Sequence, residues 1–491
     1  MPARIFYFFQ GEGWIWIALD ITFLASIIFM VVVIILENKD PTKTVSWSLV
    51  LVLLPIIGII LYLYLGRSIH KKKFFLQKEI SDHLSLDRLI QEQMIQLNDK
   101  RFIKDERLVS KRNMMKLLLQ NSKALITEKN QVRVLNNGRQ TFGSIIYEME
   151  NAKDHIHLEF YIIEDDNIGN RIKNLLVRKA GEGVKVKVIY DDVGSWFLPR
   201  RFIRELTIAG AGVFSFMPVK VYAFANKVNY RLHRKIVVVD GKVGFVGGLN
   251  IADRYLRGLG SNNMWRDTFL KIQGEAVRSL QAVFLMDWRF VSGSLEIEES
   301  FFPRNDIKDN LLVQVVSSGP DSDWQSIMQA YFSAIATAEL YVYISTPYFL
   351  PNESIMTAIK TAALSGVDVR ILLPDKNDSW VVGRGSRSYL EELLEAGVKV
   401  YFFIKGFTHS KLMIVDDIFA SVGTANMDIR SFSQDFEVNA LIYDGKTAHT
   451  LKRDFINDIA GSRLISIDEW RKRPGMEKVL ESIARIFSPL L

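Results

Sequence analysis

The chain has 491 residues, 48% of them apolar and 11% aromatic, and a net charge of +7. That length exceeds one ordinary core and points to two or three domains. The lack of cysteine excludes disulfides, thiolate metal centres and a cysteine nucleophile, and leaves the compartment open.

The N-terminus carries two apolar runs. Trp14–Leu36 is 23 residues with one charge, Asp20, and Val45–Leu65 is 21 residues with none. About 20 apolar residues span a bilayer core as a helix. The pair therefore predicts a two-helix transmembrane anchor over 1–66, joined by the polar turn ENKDPTKT at 37–44. The first run lacks the basic start and small-residue cleavage site of a signal peptide. Arg67, Lys71, Lys72 and Lys73 follow the second run, while Lys39 and Lys43 in the turn are balanced by Glu37 and Asp40. The positive-inside rule then places both termini and everything after residue 66 in the cytoplasm. Asp20 lies near the start of its run, where an interfacial and a functional role are equally open.

Between Arg67 and Asn130 stand 15 basic and 8 acidic residues, the whole of the chain's excess charge. The remainder is neutral, which argues against a nucleic-acid enzyme, whose positive charge would sit on its catalytic region. Residues 67–125 read as a basic helical connector. It either packs on the body or docks on anionic lipid, at about 1 kcal/mol per basic residue near the surface.

From residue 131 strands and helices alternate, the signature of parallel α/β architecture. IHLEFYII (156–163) reads as a strand, NRIKNLLVRKAGEG as a helix, then VKVKVIYDD (184–192) and AGVFSF (211–216) as strands. The order then repeats in LYVYISTPYFL (340–350), GVDVRILLPD (366–375) and SRSYLEELLEAGVKVYFF (386–403). Gly183 corresponds to Gly366, Gly212 to Gly397 and His233 to His409. A repeat this long is a duplicated domain, expected over 126–300 and 308–470, with an amphipathic tail at 471–491.

Two of the seven histidines occupy the same place in the same pattern, RLHRKIVVVD (231–240) and FTHSKLMIVD (407–416). Residues two apart share a strand face, so His233 and Lys235 point one way, as do His409 and Lys411. Asp240 and Asp416 fall on the other parity, at a turn, which favours a structural role. The return strands bring Asn250 and Asn426 back beside the histidines. His155 and His157 share a strand face, but no carboxylate or histidine cluster accompanies them, and they read as strand residues. No GxxxxGK[ST] nucleotide loop is present.

The pattern His-x-Lys-x4-Asp followed by Gly-Gly/Ser/Thr-x-Asn resembles the phospholipase D superfamily. Here it reads HRKIVVVDGKVGFVGGLN and HSKLMIVDDIFASVGTAN. WRDTFLKIQG (265–274), GTANMDIRSFSQDFEVN (423–439) and the double anchor are similar to the bacterial cardiolipin synthase family. The resemblance implies two pseudo-symmetric α/β/α halves sharing one active site, and a bacterial inner-membrane location. It carries His233, Lys235, Asp240, His409, Lys411 and Asp416 as the catalytic set, with Asn250 and Asn426 on the phosphate. Gly248 departs from the serine common in the superfamily; Thr424 supplies a hydroxyl at the matching position. An orienting carboxylate is implied downstream of each motif: Glu437 after His409, and Asp267 after His233.

The implied reaction is phosphatidyl transfer between two phosphatidylglycerol molecules, giving cardiolipin and glycerol through a phosphohistidine, with no metal and no cofactor. His233 is the nucleophile by analogy. A hydrolase using water as acceptor shares every one of these residues. A nucleic-acid phosphodiesterase fits the charge distribution poorly, and two intact motifs argue against an inactive scaffold. Whether two copies pair as a homodimer is not legible. WFLPRRF (196–202), VYAFANKVNY (221–230) and KVLESIARIFSPLL (478–491) interleave aromatic or apolar groups with cations, and are read as membrane contacts or, for the tail, as packing on the body.

Overall fold

The computed structural model describes residues 14–37, 41–54, 58–59, 62, 87–99, 105–219, 229–257, 264–294 and 296–486. Much of the expected connector (67–86 and 100–104), most of VYAFANKVNY and the last five residues lie outside them.

Two sheets of matching topology form the body. The first contains β1 (Asn130–Asn136), β2 (His155–Phe160), β3 (Lys185–Asp191), β4 (Gly212–Phe216), β5 (Ile236–Val239), β6 (Val243–Gly247) and β7 (Thr268–Gly274). Their spatial order is β1-β7-β6-β5-β2-β3-β4. The second contains β8 (Leu312–Ser318), β9 (Tyr341–Ser345), β10 (Asp368–Pro374), β11 (Lys399–Phe403), β12 (Leu412–Val415), β13 (Phe419–Gly423) and β14 (Glu437–Tyr443). Its order is β8-β14-β13-β12-β9-β10-β11, the same path strand for strand, with Ile126–Thr127 and Ser462–Leu464 added at its edges. In both sheets the three strands at one end run parallel and the rest antiparallel.

The motif strands are buried on both faces, so they read as continuous apolar runs rather than as alternation. Ile236 and Val238 of β5 meet Leu412 and Ile414 of β12 in a core shared by the two sheets. Val237 and Val239 pack instead under the helices of their own half, as do Met413 and Val415. The two sheets therefore lie face to face through their motif hairpins. This packing places the two motifs beside one another.

The glycine correspondence needs one correction. Gly183 and Gly366 both take left-handed backbone, at φ +91° and +92°. Gly397, at φ +88°, matches Gly210, at φ +95°, rather than Gly212. Gly212 opens β4 instead, where a Cβ would press on the Trp288 ring.

The segment before the first sheet belongs to the second half. Met114, Met115, Leu118 and Leu119 of the helix Arg112–Asn121 join the core under β8 and the helix Ser326–Ala336. Lys111 is buried there and donates to the Ala334 and Thr337 carbonyls at the end of that helix. Burial pushes its ammonium down to about 8. A residue counted toward a basic surface is thus a buried helix cap.

At the N-terminus Trp14–Glu37 and Pro41–Leu53 form two helices, the first 24 residues long. Ile34, Trp47, Leu51 and Tyr62 are buried between them. Leu24, Ile28, Phe29, Ile35, Val45 and Val52 face outward and are exposed. Counted over residues whose side chains are described, no helix is long and apolar enough to cross a membrane. The side chains of 14–20, 22, 23 and 37 lie outside that set, as do 46, 55–57, 60–61 and 63–65 of the second run.

Candidate active site

Backbone pairing between the halves builds the site. Gly406–Thr408 runs parallel to Met264–Arg266, with Phe407 opposite Trp265. The His409 N–H then donates to the Arg266 carbonyl at 2.7 Å. In the other direction Leu232 bridges Phe436, also in parallel. The Phe436 N–H donates to the Arg231 carbonyl and the His233 N–H to the Phe436 carbonyl, each at 2.9 Å. Asp267 and Glu437 are the next residues along. Each acid is thereby delivered to the histidine of the opposite half.

His233 Nδ1 lies 2.8 and 3.0 Å from the two Glu437 carboxylate oxygens. His409 Nδ1 lies 2.9 Å from Asp267 Oδ2. The pairing is crossed: the acid downstream of one motif serves the histidine of the other. A carboxylate accepting from Nδ1–H fixes the tautomer and leaves Nε2 as the nitrogen available for chemistry. Both histidines line one cavity of about 410 Å³, together with Asn250 and Asn426.

The lysines stand close behind. Lys235 Nζ donates to the His233 carbonyl at 2.6 Å, and Lys411 Nζ to the His409 carbonyl at 2.8 Å. The symmetry breaks at the imidazole: Lys411 Nζ is also 2.9 Å from His409 Nε2 and 3.0 Å from its Nδ1. Among the described residues His233 Nε2 has no such neighbour. Asn250 is held by the Ile162 N–H on its Oδ1 and donates from Nδ2 to the Tyr255 hydroxyl, at 3.1 and 2.9 Å. Asn426 Oδ1 has no hydrogen-bond partner.

Three expected placements are corrected. Asp240 and Asp416 are not at the cavity. Asp240 accepts from the backbone N–H groups of Lys153, Asp154 and His155 at 2.8–3.0 Å. Asp416 does the same for Glu339, Leu340 and Tyr341 at 2.8–2.9 Å. Both sit in left-handed backbone at the far end of the motif strand, φ +51° and +56°, a conformation aspartate tolerates better than most residues. They clamp the start of the neighbouring strand to the hairpin turn. Thr424, expected near the phosphate, instead donates its buried hydroxyl to Glu437 and accepts from the Val438 N–H. At Gly248 a Cβ would stand 2.4 Å from Asp267 Oδ1. The missing side chain in the first half makes room for the shorter acid, and the threonine in the second braces the longer one.

His155 and His157 lie apart from the cavity. Gln281 bridges them at 3.2 and 2.8 Å, and the His157 ring stacks on Phe284. They are core residues.

Burial sets the charges of the site. It pushes both imidazoles well below the ordinary histidine range, helped by Lys235 beside His233 and by Lys411 beside His409. It lowers Lys235 to about 7 and Lys411 to about 8. It raises Asp267 to about 7 and moves Glu437 upward too. Each direction relieves buried charge. An entering phosphodiester anion reverses these pressures and draws protons onto lysine and histidine.

Sequence reasoning missed several wall residues. The Tyr161 ring meets His233 edge-on at 5.3 Å, and the Trp265 ring lies 5.3 Å from His409. Arg430 pairs with the buried Asp435 at 3.3 Å, both lining the cavity. The quoted runs WRD and SQDFE contained Trp265 and Asp435, but nothing local marked them as cavity wall.

Similarity to known proteins agrees with this geometry. The profile described as "Cardiolipin synthase, PLD-like domain" matches residues 145–288 and 331–459, and "Phospholipase_D-nuclease N-terminal" matches 14–67. A cardiolipin synthase of Halalkalibacterium halodurans is 43% identical over 98% of this chain and 95% of its own. The major cardiolipin synthase of Bacillus subtilis strain 168 is 40% identical over 97% of this chain and 99% of its own. The solved phosphatidylserine synthase of Haemophilus influenzae Rd KW20 shares the fold, with a TM-score of 0.60 at 18% identity over 77% of this chain and all of that one. With both halves matched and relatives of this identity along nearly the whole chain, the protein belongs to the cardiolipin synthase family, built on a duplicated PLD-like domain.

Proposed function

We propose that the protein is a cardiolipin synthase that moves a phosphatidyl group from one phosphatidylglycerol to a hydroxyl of a second. The observation that carries this reading is the pair of carboxylate-backed histidines, one from each half, on a single cavity.

One imidazole Nε2 attacks phosphorus. The P–O bond to the headgroup glycerol breaks and a phosphatidyl–histidine bond forms. The other imidazole, protonated once the anion is bound, gives its proton to the departing alkoxide, and glycerol leaves. That second histidine then takes the proton of the incoming lipid hydroxyl, whose oxygen attacks phosphorus and displaces the first histidine. Cardiolipin is released and both imidazoles return to their starting state. Acid–base help of this kind contributes about 10²–10⁴-fold. Lys235, Lys411, Asn250 and Asn426 stabilise the charge that grows on the non-bridging oxygens. One phosphodiester replaces another, so no nucleotide drives the reaction.

We assign attack to His233 and proton transfer to His409. Supporting this, Lys411 Nζ lies against both ring nitrogens of His409 and would compete for the Nε2 lone pair, whereas Lys235 donates to the His233 carbonyl and stands over the Tyr161 ring.

The N-terminal hairpin is read as a membrane anchor with the body on the cytoplasmic side. Its outward faces carry exposed Leu, Ile, Phe and Val where a helix pair in water would carry polar groups.

The test is purified protein in vesicles of labelled phosphatidylglycerol without nucleotide or metal. Cardiolipin with equimolar glycerol, abolished by His233→Ala or His409→Ala, supports the reading. Phosphatidic acid without cardiolipin would make water the acceptor and the protein a hydrolase.

A further inference from the structure

The exposed aromatic residues beside the cavity are placed by the repeat itself. In each half the middle of the three parallel strands, β3 or β10, runs into a loop at the cavity wall, behind a wall residue in the first half and within the wall in the second, and an exposed aromatic follows. In the first half Trp196 and Phe197 follow β3, with Phe197 93% exposed and Trp196 61%. In the second half Trp380 follows β10 and is 61% exposed. The first loop backs the cavity wall, and the second forms part of it. Gly194 packs so closely on Tyr161 that a Cβ would stand 2.3 Å from its carbonyl, and Asp378 and Val382, either side of Trp380, line the wall.

The first loop is rigid. The buried Asp191 carboxylate accepts from the Val193 and Gly194 N–H groups at 3.0 and 2.9 Å. The Ser195 hydroxyl accepts from the Ile163 N–H and donates to the Tyr161 carbonyl. An indole and a phenyl ring are thus held outward by a built framework. On the second side the Arg384 guanidinium stacks over Trp380 at 4.7 Å. Arg200, Arg201 and Arg204 stand exposed just after the first pair. Rigid aromatics interleaved with arginine suit the headgroup layer of an anionic bilayer, where rings enter the acyl boundary and guanidinium groups meet phosphate. The tail helix Gly475–Ile486 packs along the helix Trp380–Arg387 and extends the same surface, with Val479 and Ile483 exposed.

We infer that Trp196–Phe197 and Trp380 are paired prongs that seat the two rims of the cavity in an anionic lipid surface, so that a phospholipid headgroup enters the site without leaving the bilayer. This seating is separate from the N-terminal hairpin. It rests on the phospholipid reading of the site for its purpose, but not for its detection.

The experiment uses the full chain in phosphatidylglycerol vesicles with and without acyl-brominated lipid. Fluorescence of the wild type minus Trp196→Phe, and minus Trp380→Phe, isolates each indole. Quenching of both difference signals by bromine is expected; unquenched signals would overturn the proposal even if the enzyme is active. A second arm compares turnover of vesicle phosphatidylglycerol with that of a short-chain, monomeric phosphatidylglycerol in the double variant Trp196→Ala/Phe197→Ala. A loss of about tenfold or more on vesicles is expected, with turnover of the monomer unchanged. Equal loss on both substrates would mean the loop only shapes the cavity and would overturn the seating. Should the wild type turn over neither substrate, the synthase reading fails, while the quenching still decides the seating.

Discussion

His233 and Glu437 stand 204 residues apart in sequence and 2.8 Å apart in space. His409 and Asp267 repeat the relation across 142 residues at 2.9 Å. Neither half orients its own histidine. On the proposed mechanism the duplicated domain is therefore one catalytic unit, and each half supplies a reactive group together with the support for the other's.

The crossed pairing is open to titration. Glu437→Gln keeps the shape and removes the charge, so the His233 imidazolium loses its partner and its proton leaves at lower pH. Histidine resonances followed by NMR should show that shift at His233 and none at His409, with Asp267→Asn giving the mirror image. Turnover in each variant should fall about 10³–10⁴-fold with little change in Tm, as for loss of the orienting acid in other histidine-based sites. A shift at His409 in Glu437→Gln would contradict the pairing.

The Gly248–Asp267 and Thr424–Glu437 contacts predict different failures. Gly248→Ala drives a methyl group into Asp267 and should lower kcat about 10²-fold by displacing it. Thr424→Val leaves the Val438 N–H without its side-chain acceptor and Glu437 without a donor. Denaturant unfolding should show a loss of about 1–3 kcal/mol, and wild-type stability in this variant would remove the bracing role.

Asp416 is held to be structural. Asp416→Ala frees three backbone N–H groups, from Glu339 to Tyr341, and should cost about 2–3 kcal/mol in unfolding experiments. The kcat of the folded fraction, measured at low temperature, should be unchanged. A large drop in kcat at full stability would restore a direct catalytic role.

The pH profile follows from the lysines. Both ammonium groups must be charged to hold phosphate, and burial lowers them to about 7 and about 8. Folded-state values below the ordinary lysine range mean the charge is lost as pH rises through 7–8. The kcat/KM profile should therefore fall over that window. Bound phosphodiester favours the ammonium, so the alkaline limb of kcat should lie at higher pH than that of kcat/KM. Coincident limbs would exclude the lysines as their source.

Much of this site is legible in the chain because its information is local. Strand parity puts His233 with Lys235, sends Asp240 to the turn and returns Asn250, and the second copy repeats the argument. Asp240 and Asp416 stand at the turn, where parity puts them, and away from the cavity that motif membership implies. The crossed carboxylates were not legible. They depend on Gly406–Thr408 lying beside Met264–Arg266 and Leu232 beside Phe436, pairings between distant segments with no periodic signal of their own. Thr424 was misplaced for a related reason: the position of its hydroxyl is set by Glu437, which reaches it only through β14. The helix Arg112–Asn121 takes the packing alternative for the connector, against the helix Ser326–Ala336, a partner too distant in the chain for local charge to reveal.

The most direct test of the central claim is rapid quenching with phosphatidylglycerol labelled at phosphorus, followed by mapping of the labelled peptide. The account predicts a single acid-labile, base-stable label per chain, on His233, that chases into cardiolipin when unlabelled phosphatidylglycerol is added. A label on His409, or cardiolipin formed at full rate in His233→Ala, would contradict it.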